Sequence, residues 1–284
     1  MGAPRSIPTQ NVSMPVAHLL CAIVAHLDSM EIYSLTFVAA LGMSSERARV
    51  NMNFDQPRKQ HNYTKVGFKK LQLPSEVYSI IRNFYDTNKD KPHVENWPRG
   101  NTYTNHWEAP TYMISTEDGR LRGSGSALKA SIWNGVKPIL EEWTGHKLKP
   151  TSLYGIRLYH HGAILATHAD RLPLVSSCII NVDQDVNEPW PIEVYDHDGR
   201  AHNVTMQPGD MVLYESHTVL HGRPTALNGS FYANIFVHFE PIDHAAMNNQ
   251  DRDKHAAGHE QQQQAAASAP RRRVGGRYYI VDNG

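Results

Sequence analysis

Cysteine is nearly absent from this chain: 284 residues contain only Cys21 and Cys178, too few for a disulfide scaffold or a cysteine-based zinc site. Cys178 sits in the apolar run Ser177-Cys178-Ile179-Ile180, where a buried free thiol is expected. Net charge is lacking too. Lys+Arg and Asp+Glu both total 28, so no strong field draws the chain to nucleic acid or an anionic membrane, and basic residues cluster only locally, at Lys69-Lys70 and Arg271 to Arg273. A long uninterrupted apolar run is the third absence. Between residues 15 and 43 two short runs are separated by His26, Asp28 and Glu31, whereas a spanning helix needs roughly 20 apolar residues. The segment reads as a signal, an anchor or a buried helix. Sequons at Asn11, Asn62, Asn203 and Asn228 suit the secretory pathway or endoplasmic reticulum, with the cytoplasm as the alternative compartment.

At 40% hydrophobic and 20% charged residues, the chain can bury a full core. Three parts are expected: a segment over 1–66 ending in a polar linker, one globular domain over 67–243, and a tail over 244–284 whose Gln, Ala, His and Arg content reads as low complexity. Within the domain, Val77, Ile80, Ile81 and Phe84 follow Pro74-Ser75 at helical spacing, with Ser75 as a cap. Leu128, Ile132, Val136, Ile139 and Leu140 define one face of a second helix over Ala127 to Trp143. From Thr151 to Pro241 the pattern changes to short β segments: Leu153 to Tyr159, Ala163 to Thr167, Ser176 to Val182, Ile192 to Tyr195, Ala201 to Met206, Met211 to Glu215 and Phe231 to Phe239. Asp198-Gly199 and Pro208-Gly209-Asp210 mark turns. The fold class that follows is α+β, mainly β, with a jelly-roll core braced by the preceding helices.

The chain carries 17 histidines, the commonest metal ligand. Ordinary solvated or hydrogen-bonded roles are assigned to His160, His161, His202 and the tail histidines 244, 255 and 259. The informative run is Thr167-His168-Ala169-Asp170-Arg171. Alternate side chains of an extended strand share a face, so an imidazole from His168 and a carboxylate from Asp170 converge on one ion. A third ligand comes from Leu220-His221-Gly222-Arg223-Pro224; His217 is the rival, and His221 is preferred for its place before the glycine. Two histidines and one carboxylate on one face of an iron leave the remaining positions open.

These segments, with Pro208-Gly209-Asp210-Met211-Val212-Leu213-Tyr214 and Tyr232 to Phe239, make residues 67–242 resemble the catalytic domain of prolyl 4-hydroxylases and related 2-oxoglutarate oxygenases. The resemblance implies a double-stranded β-helix, Fe(II), O2, 2-oxoglutarate as cosubstrate and ascorbate as reductant. The implied reaction is hydroxylation of a C–H bond in a proline-containing peptide or protein, with release of succinate and CO2. It also implies Tyr159 as a hydroxyl donor to the cosubstrate.

One feature departs from the pattern. Relatives place Lys or Arg nine or ten residues after the distal histidine; here Ser230 and Phe231 stand there. Ser230, Arg223 or Arg157 is left to meet the far carboxylate, and a charge-assisted contact of this kind is worth roughly 1.5–3 kcal/mol. Two other readings compete: a metal-binding β-sandwich that only binds partners, and a zinc hydrolase, for which no general base stands at the expected spacing. Trp97, Tyr103, His106, Trp107 and Tyr112 form a candidate lid. Arg171 is expected in an ion pair, and Trp190, between two prolines, in a turn.

Overall fold

The computed structural model describes residues 47 to 95 apart from 49, residues 109 to 253, and two short strands near the C-terminus. The apolar runs before residue 44 and the lid aromatics Trp97, Tyr103, His106 and Trp107 lie outside the described residues. No helix among the described residues is long and apolar enough to cross a membrane.

Helix α1 covers residues 50–59, followed by β1 (Phe68–Gln72), α2 (Ser75–Asn88), β2 (His93–Val94), β3 (Tyr112–Ser115), α3 (Ser126–Thr144), β4 (Leu148–Ser152) and β5 (Gly155–His160). The remaining strands of the domain are β6 (Leu165–His168), β7 (Ser176–Val186), β8 (Ile192–Tyr195), β9 (Ala201–Val204), β10 (Asp210–Tyr214), β11 (His221–Arg223) and β12 (Gly229–Pro241). Helix α4 covers 244–253. Strands β13 (Arg271–Val274) and β14 (Arg277–Ile280) pair with each other as an antiparallel hairpin.

Eight strands form one sheet in the order β1-β10-β7-β12-β5-β3-β2, with β4 also pairing β12, and four form a second in the order β6-β11-β8-β9. Their inner faces meet: Ile179, Val212, Tyr214 and Phe236 of the large sheet pack with Ile192 and Val194 of the small one. This is the expected jelly-roll core. The outer face of the large sheet supplies Cys178, Ile180, Leu213, Ile235 and Val237 to a second core with α2 and α3. The strict alternation along β7 and β12 thus serves two cores at once.

Both expected helices are present, α3 within a residue of its expected limits at either end. The Ser75 cap is not: Pro74 takes the N-cap position, its carbonyl receiving the Tyr78 amide at 3.0 Å, and a proline ring offers no side-chain acceptor for a cap bond. Ile132, Val136 and Leu140 of α3 are fully buried, each contributing about 1.5–3 kcal/mol. At Gly135 a Cβ would stand 2.5 Å from the Val77 side chain, so the helices cross where only glycine fits.

Two boundaries differ from the sequence reading. Residues 50–64, expected as linker, form α1 and a segment bonded to the domain. Tyr63 and Thr64 donate their amides to the buried Glu215 carboxylate at 2.7 and 2.8 Å. On the far side, residues 244–253, expected as tail, form α4, whose His244 is buried and bonded to the Tyr63 hydroxyl at 2.7 Å.

Candidate metal centre

Antiparallel pairing of β6 with β11 sets His168 opposite His221. Their rings lie 4.5 Å apart between centroids. Each ring is turned by a bond from its own strand: His168 Nδ1 lies 2.7 Å from the Ala166 carbonyl and His221 Nδ1 2.9 Å from that of Val219. With Nδ1 donating, the lone pair of each ring is on Nε2, the tautomer that ligation requires. The two Nε2 atoms stand 3.5 and 3.9 Å from Asp170 Oδ1. The three ligand atoms lie within 4.8 Å of one another.

Asp170 follows the end of β6 rather than belonging to it; its amide donates to the Ser216 carbonyl at 2.7 Å. Burial pushes its carboxyl pKa up, but the adjacent His168, His221 and His238 outweigh that and hold it well below the ordinary value. Oδ2 is buried with no hydrogen-bond partner. His221 is drawn down to about 4, first by burial and then by His168, against the pull of Asp170. A buried carboxylate with two imidazole Nε2 atoms aimed at it fits a divalent transition metal better than it fits a closed protein network.

The centre opens to a cleft of 660 Å³ lined by all three residues together with Val94, Glu95, Met113, Tyr154, Arg157, Arg171, Leu174, Tyr214, Phe236 and His238. His217, the rival ligand, is instead buried beside Tyr63 and His244, with Nε2 3.1 Å from the His61 carbonyl; burial takes its pKa down to about 4. Tyr214 abuts the His221 ring at 4.6 Å. Sequence reasoning missed His238, which places Nδ1 3.7 Å from Asp170 Oδ2 and 2.7 Å from Ser177 Oγ. Its signal was present: counting by twos along β12 puts His238 on the face of Phe236, away from Ile235 and Val237.

The residues expected to meet a cosubstrate separate. Ser230 is exposed and donates to Asp185 at 2.7 Å, so the structure does not bring it to the cleft; Phe231 packs on the helix-side core. Arg157 donates from Nε and Nη2 to Glu95 at 2.6 and 2.9 Å. Arg223 stands two residues after His221 on β11, across an irregularity in the pairing with β6, and is 1% exposed; neither it nor Tyr159 is among the residues that line the cleft. Its guanidinium lies 4.5 Å from the Trp190 ring and 4.4 Å from the Tyr232 ring, and Nη1 donates to the Trp190 carbonyl. Its Nη2 and the Tyr232 hydroxyl are buried without hydrogen-bond partners. Among the described residues no carboxylate lies within ion-pair distance of it. Tyr159 joins this group through its edge contact with Trp190. Trp190 is therefore a buried stacking residue rather than a turn former, and Arg171 is exposed, with no acidic partner within ion-pair distance among the described residues.

No family model matches the sequence, and no curated protein does. The fold is similar to solved structures at low identity. A prolyl hydroxylase from Trichoplax adhaerens, in complex with a hypoxia inducible factor oxygen degradation domain peptide fragment, is 12% identical with a TM-score of 0.48, over 78% of this chain and 97% of that one. AviO1 from Streptomyces viridochromogenes is 14% identical with a TM-score of 0.47, over 66% and 96%. HygX from Streptomyces hygroscopicus, with nickel, 2-oxoglutarate and hygromycin B bound, is 10% identical with a TM-score of 0.44, over 63% and 84%.

Proposed function

We propose that the protein is an Fe(II)- and 2-oxoglutarate-dependent dioxygenase acting on a peptidyl proline. The carrying observation is the convergence of His168 Nε2, His221 Nε2 and Asp170 Oδ1 at the wall of an open cleft. Three protein ligands on one side leave the opposite side free for a chelating cosubstrate and O2. When bound, the iron supplies oxygen activation coupled to decarboxylation of 2-oxoglutarate to succinate, with ascorbate keeping the metal reduced.

The chain's own residues do the rest. His168 and His221 are turned with Nε2 toward the metal position by the Ala166 and Val219 carbonyls, which take the Nδ1 side of each ring. Arg223 supplies the positive charge that positions 230 and 231 lack. It lies two residues from His221 on β11, behind the residues that line the cleft, about 7 Å along a strand, a span that suits a five-carbon dicarboxylate with its other end at the metal. Tyr159 and Tyr232 flank it, and the partnerless Tyr232 hydroxyl and Arg223 Nη2 provide donors for the far carboxylate. Val94, Met113, Tyr154 and Leu174 give the outer cleft an apolar lining suited to an uncharged ring such as proline.

Incubation of the purified protein with Fe(II), ascorbate, 2-oxoglutarate and proline-rich peptides tests this. Succinate should accumulate and peptide should gain the mass of one oxygen atom at proline. Succinate formation with other substrates only would remove the proline assignment and leave the oxygenase class, while a metal-loaded protein that never forms succinate would favour the partner-binding alternative.

A further inference from the structure

We propose that α1 is a clasp that sets the geometry of the metal centre, with Asn53 and Gln56 as positioning residues; this rests on the metal reading above. Strand β6 is at the edge of its sheet, with β11 on one side only. Its outer peptide groups therefore need partners from elsewhere, and they are the groups that flank His168. The Asn53 carboxamide meets both: Nδ2 donates to the Thr167 carbonyl at 3.2 Å, and Oδ1 accepts the Ala169 amide at 2.9 Å. One side chain thereby replaces the peptide of a missing neighbour strand and brackets the first ligand.

Gln56, one turn further along α1, ties the two halves of the centre together. Its Nε2 donates to the Asp170 carbonyl at 2.6 Å and to the His217 carbonyl at 2.7 Å. The first holds the second ligand, and the second belongs to the loop that leads into His221. With the Asp170 amide bonded to Ser216, the backbone of this ligand is fixed on both sides.

The segment that follows α1, residues 60–64, is docked independently of these two side chains. The His61 amide donates to Asn248 at 2.7 Å, His61 Nδ1 lies 2.6 Å from Asp251, Gln60 accepts from Asn248 at 2.7 Å, and Glu215 receives the amides of Tyr63 and Thr64. Variants at 53 and 56 therefore leave the C-terminal anchor of α1 intact and remove its grip on the ligand strands.

The test uses the full chain, Co(II) as a spectroscopic probe, and two near-isosteric variants, Asn53→Leu and Gln56→Met, with Asp55→Ala on the exposed side of the same helix as control. Each clasp variant should weaken Co(II) binding by tenfold or more, the range for groups that orient ligands from outside, and should alter the ligand-field spectrum. Hydrogen exchange at the Ala169 amide of the metal-free protein should speed up in Asn53→Leu. Asn53→Asp, which keeps the acceptor for Ala169, should fall between wild type and leucine; Asp55→Ala should match wild type. Variants that lower only the melting temperature, with Co(II) affinity and spectrum unchanged, would overturn the clasp and leave the metal centre standing. Wild-type protein that takes up no Co(II) would overturn both.

Discussion

Gly222, between His221 and Arg223, is the position where a single methyl group tests the geometry most sharply. A Cβ there would stand 2.8 Å from the Leu165 carbonyl oxygen, 2.8 Å from Thr167 Cα and 2.9 Å from Thr167 N. All three are backbone atoms of the β6 segment that carries His168, so no side chain can swing away. Relief to ordinary contact requires β6 and β11 to part by about 0.6 Å, whereas ligand distances in metal sites are held to within about 0.2 Å. The overpacking itself costs roughly 1–3 kcal/mol. Gly222→Ala should therefore fold with a lowered melting temperature and lose at least tenfold in Co(II) affinity, read by titration. Gly119→Ala, where nothing lies within 4 Å, is the matched control. A Gly222→Ala protein that binds Co(II) like wild type would refute the claim that β6–β11 spacing sets the triad.

Further outcomes follow from particular side chains. Arg223→Met should raise the dissociation constant for 2-oxoglutarate about tenfold to over a hundredfold, the equivalent of roughly 1.5–3 kcal/mol, with metal affinity little changed; calorimetry on the Co(II) form reads it. Glu215→Gln should destabilise the fold by about 3 kcal/mol, because the Tyr63 and Thr64 amides and the Thr64 hydroxyl lose a charged acceptor. Burial raises the Glu215 pKa, but the bonds from His197, Thr64 and Tyr63 outweigh it and bring the pKa below its ordinary 4.5. Its stabilising contribution is thus complete above pH 4.5 and lost as pH falls through the lower folded-state value, so acid unfolding of Glu215→Gln should show a shallower pH dependence. Cys178 is fully buried and its thiol pKa is pushed far up by burial; thiol reagents should modify it only after unfolding.

The convergence of His168, Asp170 and His221 was legible because the three residues sit in short motifs whose spacing follows strand geometry, and both α2 and α3 were legible from apolar periodicity. Asn53 and Gln56 were not. Their partners lie 114 to 161 positions away, and polar side chains bonding to backbone leave no periodic trace, so α1 read as linker. Strand β11 is three residues long and β3 four, too short for alternation to register. Ser230 was chosen by counting from His221, but it lies one step from the start of β12, exposed beside Asp185. Arg223 was visible as a charge near a ligand; its burial between two rings became apparent only when Trp190, placed in a turn by its flanking prolines, proved to be part of the interior.

In the proposed function one centre holds the metal and receives 2-oxoglutarate as a chelate. Titrating 2-oxoglutarate into the anaerobic Fe(II) protein tests it most directly. A weak visible charge-transfer band should grow to saturation at one equivalent and require far more cosubstrate in Arg223→Met. Folded protein with bound iron and no such band at any concentration would contradict the account.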